Sequence, residues 1–430
     1  MSSKKVLIIT YYWPPSGGSG VQRWLKFAKY LPEAGWEPIV FTPENPAYQL
    51  KDESLLQDVG PEIDVIKLPI WEPYTIWQKI SKQKVNQLDM ADAGKQGCIG
   101  KLATWIRANF FIPDPRVFWV RPAVKILKEI IQSNNIRHII TTGPPHSIHL
   151  IGLKLKKANK GLTWLADFRD PWSQWDLLAT LGVKGWALRR HQSLEQEVMQ
   201  HADRVISVTP TYVEMFKQLG ARRVSLLTNG YDEADFKNLQ KVKSEKFIIR
   251  HLGGVDALRD PRPFLQALKA LLMQAEHAEL AQNLEVSFTG TVNTTLQEEI
   301  LADEFLQKCC SFHAPVPHKE VSELYANSAM LLLILASQQL AAGNIPGKLF
   351  EYIASGCRVV GIGEPEGDSA KILADSGAGK VFARTDVQGI QDFILQAYQQ
   401  WKTGDMQSGA SIEHYSRRNL TKALVALLEA

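Results

Sequence analysis

Gly343-Asn344-Ile345-Pro346-Gly347-Lys348-Leu349-Phe350-Glu351-Tyr352-Ile353-Ala354-Ser355-Gly356 decides how the rest of this chain is read. The apolar run before it, Met330 to Ala336, reads as a buried parallel strand. A glycine-containing loop follows. Leu349, Phe350, Ile353 and Ala354 then recur at helical spacing, with Gly356 as the stop. A second short strand is expected at Val359 to Ile362. Strand, glycine loop, helix and strand together aim backbone N–H groups and the positive end of a helix dipole at one point. A phosphate is the natural guest there. Lys348 adds positive charge, and Glu351, one turn further on, can accept hydrogen bonds from a ribose. The same spacing also fits a plain turn and a solvated helix. A Walker A loop does not fit: three residues rather than four separate Gly343 from Gly347, and Leu349 stands where a Ser or Thr should hold magnesium. The GxGxxG fingerprint is absent too.

A length of 430 residues predicts two domains or three small ones, and 45% hydrophobic residues supply full cores. No apolar run reaches the roughly 18–20 residues needed to span a bilayer. Met1 to Lys5 leads straight into a short strand, which reads as no signal peptide. Cys98, Cys309, Cys310 and Cys357 show no CxxC pair and no metal spacing, so a reduced, cytoplasmic chain is expected. A formal net charge of +4 is too mild to argue for nucleic acid, and no basic stripe is present.

The N-terminal half opens with a strand at Val6 to Thr10 and the loop Tyr11-Tyr12-Trp13-Pro14-Pro15-Ser16-Gly17-Gly18-Ser19-Gly20. A helix through Val21, Trp24, Leu25, Ala28 and Leu31 stops at Gly35, and a strand follows at Pro38 to Phe41. This is a βαβ opening with a glycine loop at the strand's carboxyl end, where open α/β sheets bind ligands. After a strand at Ile63 to Leu68, residues 71–121 read as an insertion with helical pieces. It interleaves Trp71, Trp77, Trp105, Phe110, Phe111, Phe118 and Trp119 with Lys79, Lys82, Lys101, Arg107, Arg116 and Arg121. Such interleaving suits a membrane surface or a lipid-linked ligand, and equally suits core aromatics under a solvated charged face. Regular alternation resumes with strands at His138 to Thr142, Thr163 to Asp167, Arg204 to Val208 and Val224 to Leu227. Thr209-Pro210 is a helix start with proline at the first helical position. The polar stretch Tyr231 to Lys246 reads as a linker. Strands then return at Phe247 to Leu252, Leu284 to Thr289, Ser311 to Ala314, Met330 to Ala336, Val359 to Ile362 and Lys380 to Phe382. Strands alternating with helices over both halves predict two parallel-sheet domains, at 1–236 and 237–410, with a terminal helix in 411–430 that packs back on the first.

With those features in place, the chain resembles the GT-B fold: α/β, two Rossmann-like domains whose parallel sheets face a central cleft. The wording resembles the retaining family 4 glycosyltransferases, in the subgroup acting in bacterial surface polysaccharide assembly. Four segments in order carry the resemblance: Tyr11-Tyr12-Trp13-Pro14-Pro15 with Gly17-Gly18; Thr142-Gly143-Pro144-Pro145-His146; Asp167-Phe168-Arg169-Asp170-Pro171-Trp172; and Pro346-Gly347-Lys348-Leu349-Phe350-Glu351-Tyr352. It implies an N-terminal acceptor domain and a C-terminal donor domain. Glu351 matches the second of the family's two glutamates, the one that binds ribose. The first falls at Gly343, leaving Asn344 or the backbone to meet the donor sugar. The family also places an Arg and a Lys after the first strand of its second domain. Here Gly254 stands at the Arg position and Arg259 near the Lys position. Arg259 and Lys348 are the implied phosphate clamp, with Arg262 in reserve, and Gly17, Gly18, Gly254, Asn344, Ile345, Pro346, Gly347 and Leu349 complete the donor site.

The resemblance implies a retaining transfer of a sugar from a nucleotide-diphosphate donor to a glycan or lipid-linked acceptor. The attack comes on the face the phosphate leaves, and that phosphate takes the acceptor's proton. No Asp-x-Asp occurs, so no metal and no cofactor beyond the nucleotide sugar is expected. His146 and Asp170 are the acid–base candidates of the first half, each just beyond a strand. Either also suits a bland role, His146 as a helix-start residue and Asp170 as a loop carboxylate paired with Arg169. Peripheral contact with the cytoplasmic face of a membrane through residues 71–121 is a further expectation. Two other readings stand beside this one: a GT-B epimerase acting on nucleotide sugars, and a non-catalytic glycan- or nucleotide-binding partner in an assembly complex.

Overall fold

The computed structural model describes residues 4–48, 50–72, 105–237, 239–337, 340–404 and 412–430. They form two compact units, one built from the chain up to Thr228 together with Arg417–Ala430, the other from Asn229–Ser416. The first unit holds β1 (Lys4–Ile9), β2 (Trp36–Pro43), β3 (Asp64–Leu68), β4 (His138–Gly143), β5 (Thr163–Phe168), β6 (Arg204–Ser207) and β7 (Val224–Leu226). Their order is β3-β2-β1-β4-β5-β6-β7, with every pairing parallel. The second unit holds β8 (Phe247–Leu252), β9 (Leu284–Thr289), β10 (Cys310–His313), β11 (Met330–Ile334), β12 (Arg358–Ile362) and β13 (Gly379–Phe382), in the order β10-β9-β8-β11-β12-β13, again parallel.

Strands buried on both faces need apolar side chains on both, and β11 shows why the run Met330 to Ile334 is unbroken. Alternate residues leave a strand on opposite faces. Met330, Leu332 and Ile334 enter one core with Phe247, Val286 and Val360. Leu331 and Leu333 enter another with Leu349, Phe350 and Ile353. That second core holds the helix Lys348–Ala354, seven residues long and far too short to persist alone. Burying Leu349, Phe350 and Ile353 contributes about 1.5–3 kcal/mol each at most. Gly356, at φ +69°, ends the helix.

Each sheet reverses direction once, between β1 and β4 in the first and between β8 and β11 in the second. Ligands of open α/β sheets bind outside the carboxyl ends of strands at such switch points. The loops that follow β1, β4, β8 and β11 border those switch points.

The unit boundary lies at Thr228–Asn229, not at 236. Tyr231 joins the core of the second unit, and Phe236 and Leu239 pack against it, with Phe236 stacked on Tyr325 at 6.0 Å. What reads as a polar linker thus contains a short helix, Glu233–Phe236. At the other end the helix Arg417–Glu429 places Leu420, Leu424 and Leu428 in the first unit's core beside Val6, Phe27 and Leu31. In the insertion, residues 105–110 are helical and lead through a turn of 3-10 helix, Pro115–Trp119, into the helix Val120–Ser133. Trp77, Lys79, Lys82 and Lys101 lie outside the described residues.

Candidate functional site

At the switch point of the second sheet, β8 ends in Leu252 and the chain turns through Gly253 at φ +117°. The Lys348 amine donates to the Leu252 carbonyl at 2.6 Å. A Cβ on Gly253 would stand 2.7 Å from that amine, so only glycine lets the backbone pass there unstrained. The resemblance implies Gly254, at the family's Arg position, as a donor-site residue. Gly254 has room, with its nearest neighbour, the Thr291 carbonyl, 3.9 Å away, and Gly253 makes the close approach. Burial, reinforced by repulsion from Arg259, lowers Lys348 to about 8. Its cation is therefore held at some cost and is ready for an anion.

Arg259 is fixed by Asp256. One Asp256 oxygen accepts the backbone amides of Leu258 and Arg259 at 2.9 Å, and the other accepts the guanidinium at 2.7 Å. This Asx-type turn holds a half-exposed arginine within electrostatic reach of Lys348. Arg262, the reserve candidate, is engaged elsewhere, by Asp260 at 3.1 Å and Glu299 at 2.9 Å. Ser337 donates its amide to the Leu258 carbonyl at 3.0 Å, tying the loop after β11 to the loop after β8. Arg384, which the sequence reading missed, braces the same loops through the carbonyls of Leu335 and Asp260, at 2.7 and 3.2 Å.

Glu351 stands one turn into the helix and is one-quarter exposed. Tyr325 donates its hydroxyl to Glu351 Oε2 at 2.9 Å, and His318 Nε2 lies 3.3 Å from Oε1. Burial and the adjacent carboxylate push the Tyr325 phenol well above its ordinary value, so it remains a donor. Neither partner was foreseen, although both sit on the helix His318–Ala326 seven positions apart, two turns along one face. Glu351, His318 and Tyr325 border a groove of roughly 560 Å³.

The loop residues of the anchoring stretch divide. Ile345 and Leu349 are buried apolar residues of the core, so neither side chain is open to a ligand. Phe350 donates its amide to the Gly347 carbonyl at 3.3 Å, and Leu349 to the Pro346 carbonyl at 3.0 Å. Those bonds leave this short helix end with fewer amides for an anion than the dipole argument supposes. The Asn344 carbonyl accepts Ser369 Oγ at 2.6 Å, which anchors the loop.

In the first unit the motif after β5 splits into two carboxylates with different fates. Asp167 is fully buried. It receives Arg23 at 2.9 Å, Trp24 Nε1 at 2.7 Å and Thr142 Oγ1 at 2.9 Å, while Arg23 also donates to the carbonyls of Leu227 and Thr228 at 2.8 and 2.7 Å. Asp170 is half-buried. Burial raises its pKa, Arg169 opposes that, and Asp167 adds to it. Arg169 is held by the Gly20, Gly143 and Pro144 carbonyls and clamps the loops after β1 and β4 together.

His146 is 6% exposed, with its ring stacked on Trp172 at 5.1 Å. Burial, with His149, Arg169 and His191, holds it well below the ordinary histidine range, so it is neutral at pH 7. Gly17 donates its amide to the Leu50 carbonyl at 2.9 Å, and Gly18, at φ +87°, starts the helix Ser19–Tyr30. Of the insertion's charged residues, Arg116 is buried against Glu72 at 3.0 Å, under Tyr11. Its aromatics are divided: Trp119 is buried on Phe41, whereas Trp71, Trp105, Phe110 and Phe118 are exposed. Exposed Trp186, outside the insertion, meets Phe110 at 5.6 Å. No helix among the described residues is long and apolar enough to cross a membrane.

No protein-family model and no curated protein matches the sequence. Solved structures do match. A glycosyltransferase from Rickettsia africae ESF-5 is similar over 100% of this chain and 98% of its own, at 13% identity and TM-score 0.63. WaaG, a glycosyltransferase involved in lipopolysaccharide biosynthesis, is similar over 99% and 95%, at 15% identity and TM-score 0.51. A protein assigned as a UDP-N-acetylglucosamine 2-epimerase, from Listeria monocytogenes, is similar over 100% and 96%, at 13% identity and TM-score 0.56. At such identities the likeness speaks for architecture, and two parallel α/β units in this order give the chain the GT-B fold.

Proposed function

We propose that this chain is a glycosyltransferase that moves a sugar from a nucleotide-diphosphate donor to a glycan or lipid-linked acceptor in polysaccharide assembly, with retention and without a metal. One observation carries the reading. At the switch point of the second sheet, Lys348 is held by the Leu252 carbonyl and Arg259 by Asp256, close enough to repel each other, and Glu351, one turn beyond Lys348, is held by Tyr325 and His318. Two cations suit a diphosphate, and an oriented carboxylate suits a ribose diol.

As the glycosidic bond breaks, negative charge grows on the β-phosphate. Cations already in position stabilise that charge more than they stabilise the ground state. Lys348, lowered to about 8 by burial and by Arg259, gains most when the anion arrives. Retention follows if the acceptor attacks on the face the phosphate leaves and gives that phosphate its proton. Asp170, with a carboxyl pushed up by burial, is the better acceptor-side residue of the first unit. His146 is enclosed by Trp172 and Phe168 and acts on an acceptor only through movement of those rings.

Calorimetric titration of UDP, GDP, ADP and CMP without metal tests the proposal. One nucleotide should bind clearly, and Glu351→Ala should abolish that binding. Silence from all four, with no donor hydrolysis, would instead favour a non-catalytic partner. Conversion of the preferred donor to its epimer without acceptor would place the chain among epimerases. Membrane contact through Trp71, Trp105, Phe110 and Phe118 belongs to the same proposal, and failure to sediment with anionic vesicles at low salt would remove it.

A further inference from the structure

Lys241 and Cys357 are far apart in sequence and meet in the second unit. The Lys241 amine is in contact with Cys357 Sγ and lies 3.0 Å from the Tyr325 carbonyl. The same sulfur lies 3.4 Å from the Tyr325 carbonyl and 3.5 Å from that of Ser328. An amine nitrogen and a thiol sulfur are thus held in contact by one shared backbone acceptor, the Tyr325 carbonyl. Both line a cavity of roughly 310 Å³, whose walls include Arg358, Gln396 and Trp401. Cys357 is 3% exposed, too enclosed for a bulky reagent, but the cavity beside it is ample for a molecule the size of peroxide. The other described cysteines differ. Cys309 Sγ faces the carbonyls of Phe305 and Leu306, with no amine at that sulfur among the described residues.

We propose that Lys241 and Cys357 form an oxidation site at which hydrogen peroxide joins them through a reversible nitrogen–sulfur bond. The thiolate attacks one peroxide oxygen. An S–O bond forms, the O–O bond breaks, and hydroxide leaves. That hydroxide takes one proton from the Lys241 ammonium, giving water and a free amine beside a sulfenic acid. Sulfenic acids condense with nearby nitrogen. The amine attacks sulfur, the N–S bond forms and the S–O bond breaks. The departing hydroxide takes a second proton from nitrogen and becomes a second water. One peroxide is reduced and one sulfur is oxidised by two electrons, so the protein loses two hydrogens overall. A thiol reductant reverses the step by attacking sulfur and releasing the amine.

The bond closes where the element carrying Glu351 ends. Cys357 follows the helix Lys348–Ala354, and the Tyr325 that holds Glu351 by its hydroxyl offers its carbonyl to Lys241. The site does not depend on what the chain transfers.

Peptide mapping of the full-length protein after hydrogen peroxide, with and without dithiothreitol, tests the inference. The expected product is a cross-linked peptide joining the Lys241 and Cys357 segments, lighter by two hydrogens and restored by dithiothreitol. Intact mass alone is insufficient, because a Cys309–Cys310 disulfide loses the same two hydrogens. Lys241→Arg keeps the positive charge and removes the nucleophilic amine. It should abolish the cross-link and leave Cys357 carrying added oxygen. The inference fails if wild-type Cys357 stays a free thiol while other cysteines oxidise, or gains oxygen with no link to Lys241. Those wild-type outcomes decide it even if a variant folds poorly.

Discussion

Asp167 at the end of β5 and Lys348 after β11 occupy corresponding places, at the carboxyl edge of a parallel sheet, and meet opposite surroundings. Asp167 is sealed, with Arg23, Trp24 and Thr142 satisfying it and Arg23 closed in turn by the Leu227 and Thr228 carbonyls. Lys348 is half-buried, donates to the Leu252 backbone carbonyl and is repelled by Arg259. The first arrangement ties three strands and a helix together and leaves nothing for a ligand. The second desolvates a cation within reach of another at a switch point, which raises the free energy of the empty site and is relieved by an anion.

The largest effect that sharpens this contrast is on stability. Asp167→Ala takes the counter-charge from the buried Arg23 guanidinium, and should lower unfolding free energy by about 3–5 kcal/mol in urea titrations. A loss under about 1 kcal/mol would mean that the pair is not the anchor described. Lys348→Ala should do the reverse. Stability should change little, while affinity for the bound nucleoside diphosphate falls by about 1.5–3 kcal/mol, and affinity for the parent nucleoside far less. Equal losses for both ligands would point to general damage. The smallest effect is in pH. Lys348 is cationic in the free protein below about 8, so diphosphate affinity should hold at pH 7 and fall above 8, by at most about tenfold per pH unit. Lys348→Arg should flatten that fall. The same shift has a stability sign. An unfolded lysine keeps its proton to about pH 10.4, so between about 8 and that value the native state binds fewer protons and this residue's contribution to stability rises with pH.

The anchoring stretch shows how far local pattern reaches. Leu349, Phe350 and Ile353 at helical spacing announce a helix with one buried face, and they enter the core as a group. Glu351, between them in sequence, stays one-quarter exposed and is held by Tyr325 and His318. The reading misses where recognition needs a partner from elsewhere. Tyr325 and His318 reach Glu351 from an earlier helix, and Gly253 meets Lys348 from a strand end almost a hundred residues away. Leu349 was counted with the donor residues because it lies inside the motif, but a residue inside a motif can be there to hold the helix down. Asp167 and Asp170, three residues apart in one motif, show the same limit: one is sealed by Arg23, Trp24 and Thr142, and the other is half-buried near Arg169.

The sequence by itself determined the strands and their two groupings. A parallel strand covered on both faces must be apolar at every position, and that requirement is local and legible. It also determined where glycine loops follow strands. The tertiary structure alone decided that the first unit ends at Thr228, because Tyr231, Phe236 and Leu239 find their apolar partners in the second unit's core. Above all it decided which charges are closed and which remain open, since desolvation and pairing depend on groups that sequence order keeps far apart.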